Sequence, residues 1–92
     1  MITPGSTAWG RLAALVVALS DRVPDAAALR PGMRLVEDVG LSSLMVVNLV
    51  LDLEREFGFV VREEDFDHAQ TMADLAQLVE RRLAEVQRGA PP

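Results

Sequence analysis

One stretch limits what this chain can fold into. Between Leu44 and Phe57 the apolar residues are too many for one face of a helix. At about 3.6 residues per turn, Val46, Leu49, Val50, Leu53 and Phe57 keep the spacing of a core-facing stripe. Leu44, Val47 and Leu51 form a second ridge, and Ser43 shares its edge. A chain of 92 residues makes one small domain, which cannot easily bury both sides of one helix. One stripe is expected to pack inward and the other to meet a partner. Gly40-Leu41-Ser42-Ser43-Leu44 leads into this helix, and Gly58 is placed to end it as a left-handed residue.

The remaining segments organise around that helix. Ser6 or Thr7 can cap a first helix running to about Leu19 or Ser20, with Leu12, Leu15, Val16 and Leu19 inward and Trp9 at the rim. Residues 21–41 read as a long connection punctuated by Pro24, Pro31 and Gly32, with a brief turn at Asp25–Leu29. Leu29, Met33, Leu35 and Val39 are spaced to pin it across the helices. Phe59-Val60-Val61 is strand-like in isolation. With no second strand in sight, it reads as an apolar cover over one end. Arg62–His68 suits a short third helix with Phe66 inward. Thr71 and Asp74 make a box-like cap for a last helix to about Glu85, with Leu75, Leu78, Val79 and Leu83 inward. Arg81, Arg82 and Arg88 fall where they complement its dipole. The expected class is all-α: a small four-helix bundle of three main helices and one short helix, with a long first loop. Residues 1–6 are read as a tail, 7–86 as the domain, and 87–92 as a second tail.

Composition excludes several functions. There is no cysteine, hence no disulfide, thiolate metal site or cysteine nucleophile. The net charge of −5 disfavours nucleic acid and anionic membrane as partners. The acids concentrate in the middle, where residues 35–80 hold eleven of them against two Arg. No apolar run reaches spanning length and the N-terminus does not resemble a signal peptide, so a cytoplasmic protein is expected. His68 is the only histidine, without partners for a zinc site. Glu63-Glu64-Asp65-Asp67 lacks the spacing of a calcium loop. Nothing supports catalysis by the chain itself.

Ser42 and Ser43 leave two readings open. A serine before an apolar helix is ordinarily a cap. One cap is enough, however, and a phosphodiester is also favoured at a helix N-terminus. Here the sequence resembles the acyl carrier protein family. The resemblance rests on Glu37-Asp38-Val39-Gly40-Leu41-Ser42-Ser43-Leu44, Asn48-Leu49, Leu53-Glu54 and Glu56-Phe57-Gly58. It continues through Val61, Glu63-Glu64, Phe66 and Thr71-Met72-Ala73-Asp74-Leu75, covering about residues 8 to 84. The resemblance implies the same helical bundle, with 4′-phosphopantetheine, derived from CoA, on Ser43. It implies a phosphopantetheinyl transferase as partner, followed by synthase, ligase or acyltransferase enzymes of an acyl pathway. A discrete, monomeric carrier of fatty-acyl or polyketide thioesters is expected, with secondary metabolism suggested by composition.

The departures concern the partner face. The family's Asp before the serine is Ser42 here. Met45, Asn48 and Arg55 stand where relatives often have acids, and Glu54 remains. Ser42, Leu44, Met45, Val47, Asn48, Leu51 and Glu54 are the expected docking residues, mainly apolar near Ser43 with charge further out. A peptidyl or aminoacyl carrier, and an unmodified helical interaction module, are the alternatives.

Overall fold

The Ser6 side chain starts the bundle. Its Oγ accepts the Trp9 N–H at 3.1 Å, and α1 follows over Thr7–Leu19. The computed structural model of the chain describes residue 2 and residues 4–88, apart from the side chains of Glu63, Gln87 and Arg88. Within it, α2 spans Ser43–Phe57, α3 Glu63–Asp67 and α4 Met72–Arg88. A short 3-10 turn at Ala26–Ala28, capped by Asp25, interrupts the long first connection. The described residues form no strand; a single bridge pairs Arg34 with Thr71. The all-α bundle expected from the sequence is the fold.

The core is mainly aliphatic, with Trp9, Phe57 and Phe59 as its aromatic members, and is drawn from every long element. Leu12 and Val16 come from α1, Leu49 and Leu53 from α2, and Leu75, Leu78 and Val79 from α4. Leu29, Leu35, Val39 and Leu41 bring the first connection into it. Backbone hydrogen bonds fix that connection. Leu35 N–H donates to Gln70 O, while Met72 and Ala73 donate to Met33 O and Pro31 O at 3.0 and 2.8 Å. Two donors of the first turn of α4, which the helix itself cannot satisfy, are thereby answered. Thr71 and Asp74 complete the box: Asp74 N–H donates to Thr71 Oγ1, and Thr71 N–H to Asp74 Oδ2, both at 3.1 Å. A loop this long stays ordered because it caps the last helix as well as covering the core.

Several expectations need correction. Trp9 is in the core and not at its rim. Met33 and Leu15 are half-buried. Phe59 closes the end of α2, stacked on Phe57 at 5.9 Å, but Val60 points outward at 72% exposure and covers nothing. The last helix continues to Arg88, past Glu85, because 84–88 hold no breaker before Gly89. Residues 89–92 of the expected tail lie outside the described residues, as do Met1 and Thr3. In the other tail, Ile2 packs against the core. Arg82 does not chiefly serve the dipole of α4. Its guanidinium pairs with Asp65 of α3 and, at 2.8 Å, with Glu85.

Candidate functional site

The approach to α2 is held from α1. Ser20 Oγ donates to Val39 O at 2.7 Å and accepts the N–H groups of Arg22 and Val23. Arg22 Nη1 reaches Glu37 O at 2.6 Å. The Arg22 side chain lies so close to Gly40 that a Cβ there would meet its Cδ at 2.9 Å. Gly40 has φ +83° as well, so both the turn and the close approach call for glycine. Leu41 follows, buried, with its N–H on Leu35 O at 3.0 Å. Everything up to Leu41 is fixed before the chain emerges at Ser42 and Ser43.

The two serines then do different things. Ser42 Oγ accepts the Met45 N–H at 3.2 Å, and Ser42 O accepts Val46 N–H at 2.9 Å. Ser42 is the cap. Ser43 is exposed, and its hydroxyl has no hydrogen-bond partner among the described residues. The N–H groups of Ser43 and Leu44 likewise meet no acceptor there. An exposed hydroxyl thus stands at the positive end of a fifteen-residue helix beside two unengaged donors. A phosphate ester on Ser43 fits this arrangement without displacing any contact.

Beyond Ser43 the two stripes of α2 separate. Leu49, Leu53 and Phe57 are buried. Leu44, Val47 and Leu51 are exposed by 71%, 55% and 50%, and Asn48 is exposed beside them. Met45 is half-buried and packs against the core, so it reaches the face only in part. Glu54 continues the ridge, but its Oε2 accepts the Val61 N–H at 2.8 Å and ties α2 to the connection after it.

Sequence reasoning missed the hollow between α2 and α3. Val46, Val47, Val50, Leu51, Val61 and Phe66 line it with Arg62 and Asp67, enclosing about 260 Å³. A second hollow, about 370 Å³, lies across Val46 and Phe66 against Leu35 and Val36. The available signal was Val46 and Val50, one turn apart on the border between the stripes. Both are half-buried walls and not core. A more polar hollow between α3 and α4 includes His68, Asp74 and Arg81. No group of three His, Asp or Glu among the described residues could hold a metal ion. No helix among them is long and apolar enough to cross a membrane.

Comparison with known proteins bears on the same stretch. Residues 11–79 match the family model described as a phosphopantetheine attachment site. The chain belongs to the acyl carrier protein family. It is 38% identical to an acyl carrier protein of Thermotoga maritima over 50 residues, which are 54% of this chain and 62% of that one. Against an acyl carrier protein of Solidesulfovibrio magneticus it is 33% identical over 61 residues, 66% of this chain and 78% of the relative. With one from Amoebophilus asiaticus it shares 37% over 51 residues, 55% and 64% of the two chains. The match to the Thermotoga and Amoebophilus relatives therefore spans somewhat less than two thirds of their length. The prosthetic group of this chain is 4′-phosphopantetheine.

Proposed function

We propose that Ser43 is the attachment residue, and that the chain carries fatty-acyl or polyketide intermediates as thioesters in cytoplasmic secondary metabolism. The observation that supports it is the division of labour at the start of α2. Ser42 is engaged as the cap, whereas Ser43 offers an exposed hydroxyl with the Ser43 and Leu44 N–H groups beside it. Two donors and the helix dipole stabilise a phosphodiester there. When bound, the group supplies a thiol on a flexible arm, which a chain without cysteine cannot supply itself. The protein contributes position, recognition and shelter. The apolar hollow between α2 and α3 has room for a short aliphatic segment of cargo and not for a long chain whole.

The partners in this reading are a phosphopantetheinyl transferase, which joins the CoA-derived group to Ser43 Oγ, and synthase, ligase or acyltransferase enzymes that load and unload the arm. They dock on Ser42, Leu44, Val47, Asn48 and Leu51, with the outer part of Met45 at one edge and Glu54 at the far end. Incubation with CoA and a broad-specificity transferase is expected to add one phosphopantetheinyl group by intact mass. Ser43→Ala abolishes the addition and Ser42→Ala retains it. Modification that survives in Ser43→Ala refutes the assignment.

A further inference from the structure

Ahead of α1 the chain folds back on the domain. Pro4 and Gly5 form a turn. Gly5 takes φ +96°, where any side chain is strained and glycine is not. Ile2, on the far side of that turn, is half-buried and packs against the core. Its N–H donates to Glu80 Oε2 of α4 at 3.4 Å, a long and weak hydrogen bond. Ile2 and Pro4 share a hollow of about 160 Å³ with Trp9, Pro31, Ala73, Ala76 and Glu80. Three elements meet there. Trp9 belongs to α1, Pro31 to the long connection, and Ala73 and Ala76 to α4. The connection is joined to α4 at the same place, where Ala73 N–H donates to Pro31 O at 2.8 Å. Trp9 is only 5% exposed although it lies in the first turn of α1.

We propose that Ile2, Pro4 and Gly5 form a releasable strap that closes this three-way junction, with Ile2 as the side chain that seats it. A segment near a chain end stays mobile unless something ties it down. Here one aliphatic side chain and one weak hydrogen bond do so. The hollow beside Ile2 is unfilled, so its side chain lacks the dispersion contacts of a tightly packed core residue. The strap therefore opens at a lower free energy than the helices unfold. While it is open, water reaches Trp9 and the Ala73 amide, and the rest of the bundle stays folded. The connection tied at Pro31 is also held at Leu35, whose N–H donates to Gln70 O, and at Leu41, whose N–H donates to Leu35 O. It ends at Ser42 and Ser43. The strap thus acts on the segment that carries the site, whichever serine bears the arm.

Trp9 is the only tryptophan, so its fluorescence reports on the junction. The probe is acrylamide, added to the full chain without denaturant, with far-UV circular dichroism recorded on the same samples. Ile2→Ser is expected to raise the quenching constant of Trp9 about twofold or more, and the exchange rate of the Ala73 amide about threefold or more, while the helical signal stays that of the wild type. Gly5→Val keeps Ile2 but disfavours the turn, since a β-branched residue rarely adopts positive φ. A Cβ at Gly5 would meet nothing within 4 Å, so this variant acts through the backbone alone. It should reproduce both changes. Ile2→Leu restores the wild-type values, and Val60→Ser, which trims a side chain 72% exposed, leaves them unmoved. Unchanged quenching in both Ile2→Ser and Gly5→Val overturns the proposal. So does quenching that rises only together with a loss of helical signal, because Ile2 is then an ordinary part of the cooperative core. Quenching that rises with the Ala73 amide unmoved overturns it too, because the segment then covers Trp9 and does not close the junction.

Discussion

Gly40 and Gly58 both have positive φ, yet they constrain the chain differently. At Gly58, φ is +73° and a Cβ would meet nothing within 4 Å. Gly58→Ala therefore costs only the left-handed backbone, about 1 kcal/mol. Gly40→Ala adds a displaced Arg22 and its hydrogen bond to Glu37, for a total of about 2 kcal/mol. Denaturant melts separate the two terms. With Arg22→Ala already present, adding Gly40→Ala should cost no more than Gly58→Ala does. Ser42 is tested in the same way. Ser42→Ala removes the acceptor for Met45 N–H and should lower stability by about 1 kcal/mol. Ser42→Asp keeps a good cap and adds a negative charge at the positive helix end, so its midpoint should equal or exceed that of the wild type.

Helix α3 shows what an element needs beyond its own sequence. It has five residues, too few to be stable alone. Phe66 packs against the core, and Arg82 of α4 holds Asp65 from the other side. Burial pushes the Asp65 carboxyl up. The Arg82 hydrogen bond, the Arg62 N–H and the charges of Arg82 and Arg81 outweigh it, and the carboxyl titrates below its usual range. A carboxylate held down in the folded state stabilises above its unfolded value, and that contribution disappears as pH falls through the folded one. Asp65→Asn should cost about 1–2 kcal/mol at pH 7. The difference from wild type should persist down to about pH 5 and close below about pH 4. Urea midpoints over that range measure it. Equal midpoints at pH 7 would mean that the pair contributes nothing. This pair was invisible in the sequence, where Arg82 suggested only a dipole partner, because ion pairs between elements have no periodicity. The spacing of Leu49, Leu53 and Phe57 did announce their burial, as the Thr71–Asp74 box announced α4. Val46 and Val50 obeyed the same rhythm but stay half-buried, because α3 is too short to cover them and leaves a hollow. At the site, periodicity alone could not tell two adjacent serines apart, and only the family resemblance put the family's Asp at Ser42 and the attachment at Ser43. The hydrogen bond to Met45 N–H distinguishes them.

For the whole molecule, the consequence is that one helix serves stability and contact on opposite sides. Leu49 and Leu53 are fully buried, while Val47 and Leu51 are half exposed, two residues or fewer away in sequence. Domains of this size have little stability in reserve, so a large core deletion removes a substantial part of it. Leu49→Ala should cost about 3 kcal/mol and lower Tm by roughly 15 °C. Val47→Asp and Leu51→Asp place a charge in solvent and not in the core, so their melts should stay cooperative and within about 0.5 kcal/mol of wild type. If the ridge were covered by α3 and the Val60-Val61 connection, the same charges would be buried unpaired and the protein would unfold. Their exposure argues against such a cover. What these two substitutions should damage is transfer: acyl loading of the modified protein by a partner should slow while the melt does not move. Wild-type transfer together with a wild-type melt in both variants would show that enzymes approach Ser43 from another side.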